Sequence, residues 1–561
     1  MKTRHPFAFV RAAYQHSPWL VISISAHVIA LAILALWYIA KPAPDELGRE
    51  PFAIKIGPAP ARTEEEIQLP PLATPREKIP EQLEAILTSE PIDPWLETTP
   101  MTEPPAPEAQ AGDPLSLAEF DSAPDSSTPI GVGPHGRHGR MNSAFGPRPF
   151  AEPGDGTRRR GTLDPRTPMD GLVLDGLRWL ARHQNADGSW SPATLRQHCS
   201  ADAPCGDPRQ SWTRNYDEGV TGLALLAFLG AGFSHESQQW LLDPITQQRW
   251  KVGEVVKNGL RWLKNRQNDD GSFSRERGFL YNEALATMAL TEAYGLTQNR
   301  YWLEPARRGV EFLERAQRPN PGGQGLWGWR YASRQEIEAK YPGGSIDEAG
   351  KRELFDADTS VTGWAVMALK SAQLAGLSVA PESLQGALSF ARFVSTPEGR
   401  AGYLDPKGAG AKVSGVGDQF TYHPAAMSAL AMCIRAFTTH DSEDPFLEPA
   451  ARQLAADLPA TGKDQLGIDY YYWYYGSLAL HQFDGPDSPR SSGKFWGPWN
   501  KAMAARLIEL QDKDPKTCHH GGWLAPDRWS HSGGPVYATA INVLTAEVYY
   551  RYANAFGGRR H

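Results

Sequence analysis

Three scarcities limit what this chain can be. It has only four cysteines in 561 residues, too few to hold together a disulfide-rich scaffold. Its formal net charge of -7 is small for its length, which argues against a nucleic-acid binder held by counterion release. Residues 41–168 show no amphipathic periodicity and hold about half of the 47 prolines. Such a segment buries too little apolar surface to offset its chain entropy, so we predict a disordered Pro-rich linker there.

Long apolar runs are missing as well, except near the N-terminus. Residues 19–40 form such a run, and as a helix it would reach about 33 Å, enough to cross the hydrocarbon core of a bilayer. It is longer than the core of a signal peptide, and no small-residue cleavage site follows it. We therefore predict a short cytoplasmic tail at 1–18, a transmembrane helix at 19–40 and a large extracytoplasmic, periplasmic domain on a single-pass inner-membrane protein.

Two polar residues lie within the predicted membrane helix. Ser23 and His27 are four residues apart and so share one helix face, where an ionisable side chain is costly. A Ser-x-x-x-His pair in one N-terminal anchor, followed by a Pro/Glu-rich stretch, resembles the front end of TonB-type energy transducers. That resemblance implies that Ser23 and His27 face a proton-channel-type membrane partner. The alternative is a histidine tolerated near a helix interface.

Beyond the linker, one sequence motif is repeated. Gln184–Trp190 (Gln-Asn-Ala-Asp-Gly-Ser-Trp) returns as Gln267–Phe273 (Gln-Asn-Asp-Asp-Gly-Ser-Phe). Each copy follows the same run, Gly-Leu-Arg-Trp-Leu, at 176–180 and 259–263. The pattern predicts a helix that ends at the glutamine and is followed by a tight Asp-Gly turn. A looser third copy runs from Gln317 to the tryptophans at 327 and 329.

Each such helix is followed by a more apolar one, and six pairs can be assigned. The second helices are predicted at about 220–231, 284–294, 361–372, 424–437, 470–481 and 537–552. Six pairs can close into a ring without exposed ends, so we predict an all-α fold, an (α/α)6 toroid over residues 169–556, with the apolar helices inside. The repeats resemble the prenyltransferase and squalene-cyclase superfamily. This resemblance implies that the Gln-to-Trp motifs fasten the outer helices together.

Acidic residues cluster where the inner helices begin. They are candidates for acid and base roles, as in glycoside hydrolysis, or for helix capping; the candidates are Asp217, Glu283, Asp356 and Asp358. The stretch Asp356-Ala357-Asp358-Thr359 resembles the acid motif of squalene cyclases. In that alignment Ala357 stands where the family has its protonating aspartate, so cyclase chemistry lacks its donor unless Asp356 replaces it.

Aromatic residues are the candidates for binding a ligand. Six successive aromatics at 470–475 cover every face of a helix, so some of them face the ring interior while others pack in the core. Aromatic faces stack on sugars and grip isoprenoid chains, which makes a lipid or a glycan the expected ligand. The predicted ligand-binding residues are Trp364, Tyr422, His423, Tyr471 and Trp473.

The cysteines offer a disulfide but no recognisable metal site. Cys199 and Cys205 lie six residues apart in a polar loop and form either a small disulfide or two separate thiols. The Asp-x-Cys zinc element of protein prenyltransferases does not occur, and Val416 stands where complement-type thioester domains have their reactive cysteine. A further loop group has no recognised ligand spacing; it consists of Cys518, His519, His520, Asp527 and His531. We predict no metal and no cofactor.

The sequence as a whole favours a binding or scaffold module of the bacterial cell envelope, held away from the membrane by its linker. A Pro-rich segment of this length can reach on the order of a hundred ångströms. The first alternative is a glycan-cleaving enzyme that uses the carboxylates of the inner helices. The second is an enzyme similar to squalene and terpenoid cyclases. Both alternatives rest on analogy between folds.

Overall fold

The computed structural model describes the repeat region and two residues that precede it. The described residues are Arg148, Phe150, 167–199, Cys205, 212–273, 278–341, 346–406, 424–460, 467–527 and 529–557. The predicted tail, the predicted membrane helix with Ser23 and His27, and nearly all of the predicted linker lie outside them. Within the described residues, no helix has the length and apolarity needed to cross a bilayer.

The described chain is almost entirely helical, with one short antiparallel hairpin between the second and third helices. In chain order the elements are α1 (Pro168–Arg182), α2 (Asp217–Gly230), β1 (Trp240–Leu242), β2 (Arg249–Lys251), α3 (Val252–Arg266), α4 (Leu280–Thr297), α5 (Arg300–Ala316), α6 (Arg334–Ala339), α7 (Glu348–Phe355), α8 (Thr359–Leu374), α9 (Pro381–Phe393), α10 (Pro424–Thr439), α11 (Leu447–Ala456), α12 (Tyr470–Asp484), α13 (Trp496–Leu510) and α14 (Ser530–Ala546).

Six of these helices form a closed inner ring. Each of α2, α4, α8, α10, α12 and α14 packs against the next, and α14 packs against α2. The predicted α/α toroid of six helix pairs is therefore confirmed. The outer partners are α1, α3, α5, α9, α11 and α13, and the short helices α6 and α7 lie in the insertion between α5 and α8.

Side-chain burial separates the two rings. Every residue of α2 is buried, as is every residue of α12, including the six aromatics at 470–475. The outer helix α5 buries one face, built around Trp302, Val310 and Leu313, and leaves charged residues on the other. A helix that is apolar all round belongs inside a protein, whereas an amphipathic helix belongs at its surface. This difference decides which helix of each pair is inner.

Within the part of the chain that the structure describes, the same hydrogen-bond geometry occurs four times and joins neighbouring outer helices. In each case the Nε2 of the glutamine that ends an outer helix donates to a carbonyl of its own turn and to a carbonyl in the first part of the next outer helix. The pairs are Gln184 to Gly188 and Val255 (both 2.9 Å), Gln267 to Gly271 (3.1 Å) and Pro305 (2.9 Å), Gln317 to Trp327 (2.6 Å) and Ser383 (2.8 Å), and Gln511 to Gly521 and Leu172 (both 2.9 Å).

The last of these contacts closes the ring. Gln511 follows α13 in the sixth repeat, and its second acceptor, the Leu172 carbonyl, lies in α1 of the first repeat. Gly521 comes so close to α1 that an added Cβ would lie 2.5 Å from the Asp175 carbonyl oxygen. The fastener used between successive repeats is thus used again between the two ends of the ring.

Two residues assigned to the linker by sequence pack onto the ring. The Phe150 N–H donates to the Ala231 carbonyl at 3.2 Å, and its ring stacks on Phe233 at 5.6 Å. The Arg148 guanidinium is buried with Glu292 at 3.4 Å and also donates to the Arg551 carbonyl. These contacts lie near the C-terminal ends of α2 and α4, opposite the acidic residues that begin the inner helices.

Candidate functional site

Hydrogen-bonded tyrosines connect several repeats near the starts of the inner helices. The Tyr281 hydroxyl donates to Ser360 Oγ at 2.6 Å, and Ser360 Oγ lies 2.5 Å from the Tyr471 hydroxyl. The hydroxyls of Tyr331 and Tyr403 lie 2.5 Å apart. We call this region the mouth and define it by its residues: Tyr216, Phe279, Tyr281, Arg330, Tyr331, Asp356, Asp358, Ser360, Tyr403, Asp469, Tyr471 and Trp529.

Asp358 is the most deeply buried acid of the mouth. It is fully buried and is the N-cap of α8, where its Oδ1 accepts a hydrogen bond from the Val361 N–H at 2.7 Å. Its Oδ2 makes no hydrogen bond within the described part of the chain. Burial raises the pKa of Asp358 to about 7, against the opposing charge of Arg330. Oδ1 therefore caps the helix, as the capping alternative expects, while Oδ2 faces Arg330 at 3.6 Å.

Arg330 links the two acids of the predicted motif. Its Nε lies 3.0 Å from Asp356 Oδ2 and its Nη1 lies 3.6 Å from Asp358 Oδ2. The guanidinium also lies over the rings of Tyr331 and Tyr403, at 4.9 and 5.5 Å from their centroids. Burial raises the pKa of Asp356 as well, with Arg330 opposing it. Ala357, between the two acids, is buried and offers no proton donor.

The other two predicted acids lie on neighbouring inner helices and have separate partners. Glu283 is fully buried, and its Oε2 accepts a hydrogen bond from the Phe273 N–H at 2.7 Å. In the first and third repeats the same motif N–H is accepted by Thr221 and Thr362, each at 3.0 Å. Glu283 thus takes the place of the threonine that holds the motif turn against the inner helix in the first and third repeats. Asp217 opens α2, lies 3.8 Å from Arg214, and has its pKa raised to about 7 by burial.

The residues predicted to bind a ligand are divided between the mouth and the core. Tyr471 belongs to the mouth and contacts the Trp529 ring at 5.7 Å. Trp364 lies deeper, stacked on Tyr474 at 5.7 Å, while Trp473 is buried against Tyr470. Tyr422 and His423 lie outside the described residues.

Partly exposed rings border the mouth. Phe279 contacts Tyr216 and Tyr281 at 5.2 Å each and stacks on Tyr331 at 6.0 Å. Tyr331 is exposed, with 36% of its surface accessible. On the far side, Trp529 Nε1 donates to Asp469 Oδ1 at 3.1 Å, and that oxygen also caps α12 at Tyr472. The mouth therefore combines aromatic faces with hydroxyl, carboxylate and guanidinium groups.

Sequence reasoning missed several residues of the mouth although a signal for them exists. Arg330 and Tyr331 directly follow the motif tryptophan at 329, and Tyr403 comes two residues after Ala401, which takes the motif position in the fourth repeat. The turn brings the chain to the next inner helix, as the bridge between Trp329 and Asp358 and the hydrogen bond from the Ala401 N–H to Ser428 Oγ show. Residues just after each motif position therefore lie beside the start of an inner helix.

Comparison with known proteins finds distant likenesses among solved structures. No family model and no curated protein matches the sequence. Among solved structures, the type II terpene cyclase MstE from Scytonema is similar, with 14% identity over 68% of this chain and 97% of that one and a TM-score of 0.41. An α-1,6-mannanase from Salegentibacter is also similar, with 13% identity, coverage of 68% and 98%, and a TM-score of 0.40.

Proposed function

We propose that this chain is a membrane-anchored, extracytoplasmic binding module of the bacterial cell envelope, and that its mouth binds a glycan. The observation that carries the proposal is the composition of the mouth. Phe279 and Tyr331 present partly exposed rings, and Arg330 and the Tyr403 hydroxyl lie beside them. A sugar offers an apolar ring face for stacking and hydroxyls at its edge for hydrogen bonds, so it matches both kinds of group.

A lipid chain fits this border less well. Covering Arg330 and the paired hydroxyls of Tyr331 and Tyr403 with an apolar chain would remove water from polar groups without replacing their hydrogen bonds, and such burial is costly. The predicted anchor at 19–40 and the predicted linker would hold this mouth within the envelope, away from the bilayer surface. A proton-channel-type partner at Ser23 and His27 remains part of this proposal.

Glycan cleavage is the second candidate, and Asp358 is the observation that favours it. Burial holds its pKa at about 7, and a general acid works best with a pKa near the operating pH. Arg330 lies within 3.6 Å of Asp358 and 3.0 Å of Asp356, so the two carboxylates differ in their proximity to the positive charge. A terpenoid cyclase is not favoured, because Ala357 occupies the position of the acid that would protonate an alkene.

Titration of purified envelope polysaccharide into the full-length protein in detergent tests the proposal. We expect the wild type to bind and Phe279→Ala to weaken binding by about 10-fold, since one lost stacking contact is worth about 1.4 kcal/mol. Tyr301→Ala is the matched control, because Tyr301 is an exposed aromatic on the outer helix α5. Equal affinity of the two variants, or no binding by the wild type, would contradict a glycan site at the mouth.

The same mixtures separate binding from cleavage. Release of new reducing ends by the wild type, lost in Asp358→Asn, would establish the enzyme alternative in place of the binding module. Because Asn keeps an oxygen that can accept the Val361 N–H, this variant preserves the helix cap.

A further inference from the structure

Away from the mouth, four potential metal ligands from distant parts of the chain converge. His183 directly follows α1, two cysteines lie in the next loop, and the third lies between α13 and α14. One nitrogen and three sulfur atoms all lie within 4.8 Å of one another. We call this group the Cys3His cluster; it consists of His183, Cys199, Cys205 and Cys518.

The distances within the cluster suit one tetrahedral ion. His183 Nε2 lies 3.2 Å from Cys518 Sγ, 3.4 Å from Cys205 Sγ and 4.0 Å from Cys199 Sγ. Zinc bonds of about 2.0 Å to nitrogen and 2.3 Å to sulfur at tetrahedral angles place these atoms about 3.6 Å apart. The three nitrogen–sulfur separations scatter around that value, and all four atoms lie close enough together to surround one ion.

His183 is oriented as a metal ligand by its surroundings. Its Nδ1 lies 2.7 Å from the Trp179 carbonyl oxygen, and its ring stacks on the Trp179 indole at 4.0 Å. An Nδ1–H that donates to this carbonyl leaves the Nε2 lone pair directed at the three sulfurs, which is the usual outer-shell arrangement of a metal-bound histidine.

We propose that the Cys3His cluster binds one Zn²⁺ ion. Thiolates and imidazole are the ligands that zinc prefers, and four protein ligands leave no open position, so the site would be structural. Binding releases one proton from each of the three thiols, while His183 binds through its neutral Nε2. This proposal differs from both sequence-based alternatives for Cys199 and Cys205, a disulfide or two separate thiols, and from the prediction of no metal. In the structure all three cysteines of the cluster are free thiols.

The position of the cluster indicates what the ion would do. His183 belongs to the first repeat and Cys518 to the sixth, so the metal would join the two ends of the ring. The same seam contains the Gln511 contact to Leu172 and a hydrogen bond from Arg182 to the His520 carbonyl at 2.7 Å. A cross-link that closes a long stretch of chain removes much conformational entropy from the unfolded state. Zinc at the seam would therefore stabilise ring closure.

Metal content of the full-length protein, purified in detergent without chelators, tests the proposal. We expect one zinc per chain by elemental mass spectrometry, and after exchange with Co²⁺ the absorption bands of tetrahedral thiolate cobalt. In Cys518→Ser the zinc should fall to a small fraction of that amount and the melting temperature should drop. Cys433→Ser is the matched control, because Cys433 is a buried cysteine of α10 outside the cluster.

The intact mass of the wild type, measured under native and denaturing conditions, keeps the test independent of whether a variant folds. A metal-free chain that is two hydrogen atoms lighter would show a disulfide in place of the metal and overturn the proposal. Full zinc content in Cys518→Ser, or the same loss in Cys433→Ser, would also overturn it. None of these three outcomes bears on glycan binding at the mouth, which uses other residues.

Discussion

At the scale of single residues, two acids at the starts of inner helices have different hydrogen-bond partners. Asp358 caps α8 through Oδ1 and lies near Arg330 through Oδ2. Glu283 instead accepts the Phe273 N–H, in the position where the first repeat has Thr221. The acidic residue type alone could not distinguish these two situations, because Asp358 accepts an N–H of its own helix whereas Glu283 accepts an N–H of the motif turn.

Asp358 should make the stability of the toroid depend on pH. Its folded pKa of about 7 exceeds the value of about 4 expected in the unfolded chain. Between about pH 4 and about pH 7 the folded state binds more protons, so the free energy of unfolding should fall as pH rises through this window. Asp358→Asn removes this contribution, which is at most about 4 kcal/mol. Denaturant unfolding of the full-length protein at several pH values measures it.

The quantity compared in that experiment is the slope of the free energy of unfolding against pH. It should be reduced but not abolished in Asp358→Asn, because burial also raises the pKa values of Asp217 and Asp527 to about 7. Asp269→Asn, which removes an exposed carboxylate, is the control. If the slopes of wild type and Asp358→Asn coincide, the carboxylate is not held in the environment described.

At the scale of elements, the sequence predicts the turn that follows an outer helix in some repeats and misses it in another. In the second repeat, the Asn268 N–H donates to the Ser272 carbonyl and the Gly271 N–H to the Asn268 carbonyl. The fourth repeat makes the same two bonds between Thr396 and Arg400 and between Gly399 and Thr396. There the glutamine and the tryptophan are replaced, so pattern matching missed a turn whose backbone geometry is retained.

Gly271→Ala should destabilise the protein more than a change at another left-handed glycine. Gly271 has φ +90°, and an added Cβ would lie 2.2 Å from the Arg308 carbonyl oxygen of α5. Gly376 has φ +81° with no neighbour within 4 Å of an added Cβ. We expect a loss of about 1 kcal/mol for Gly376→Ala, from backbone strain alone, and about 3 kcal/mol or more for Gly271→Ala.

Chemical denaturation of the two glycine variants beside the wild type provides the measurement. Both variants lose stability because alanine is strained at a positive φ. The difference between their free energies of unfolding therefore measures the close approach of the turn to the outer helix. Equal losses would mean that the turn does not pack against α5 as described.

At the scale of the whole molecule, the periodicity of the sequence was sufficient to predict the ring. It was not sufficient to predict which distant residues come into contact in the folded ring. Six helix pairs and the fastening glutamines follow from local patterns that recur along the chain. The Cys3His cluster and the Arg330 pairing join residues separated by insertions of different lengths. The sixth turn is longer than the first two, and its residues 513–520 carry Cys518 to the seam. No local pattern in the sequence predicts where these residues lie in the fold.

The central claim is that a glycan binds at the mouth, and hydrogen exchange of the full-length protein tests it most directly. Backbone amide exchange is compared with and without saturating envelope polysaccharide. We predict slower exchange at residues 278–282, 329–333 and 401–405, which carry the mouth side chains, and unchanged exchange in the outer helices α3 and α5. Protection confined to the outer helices, or saturation with no protection at the mouth, would contradict the claim.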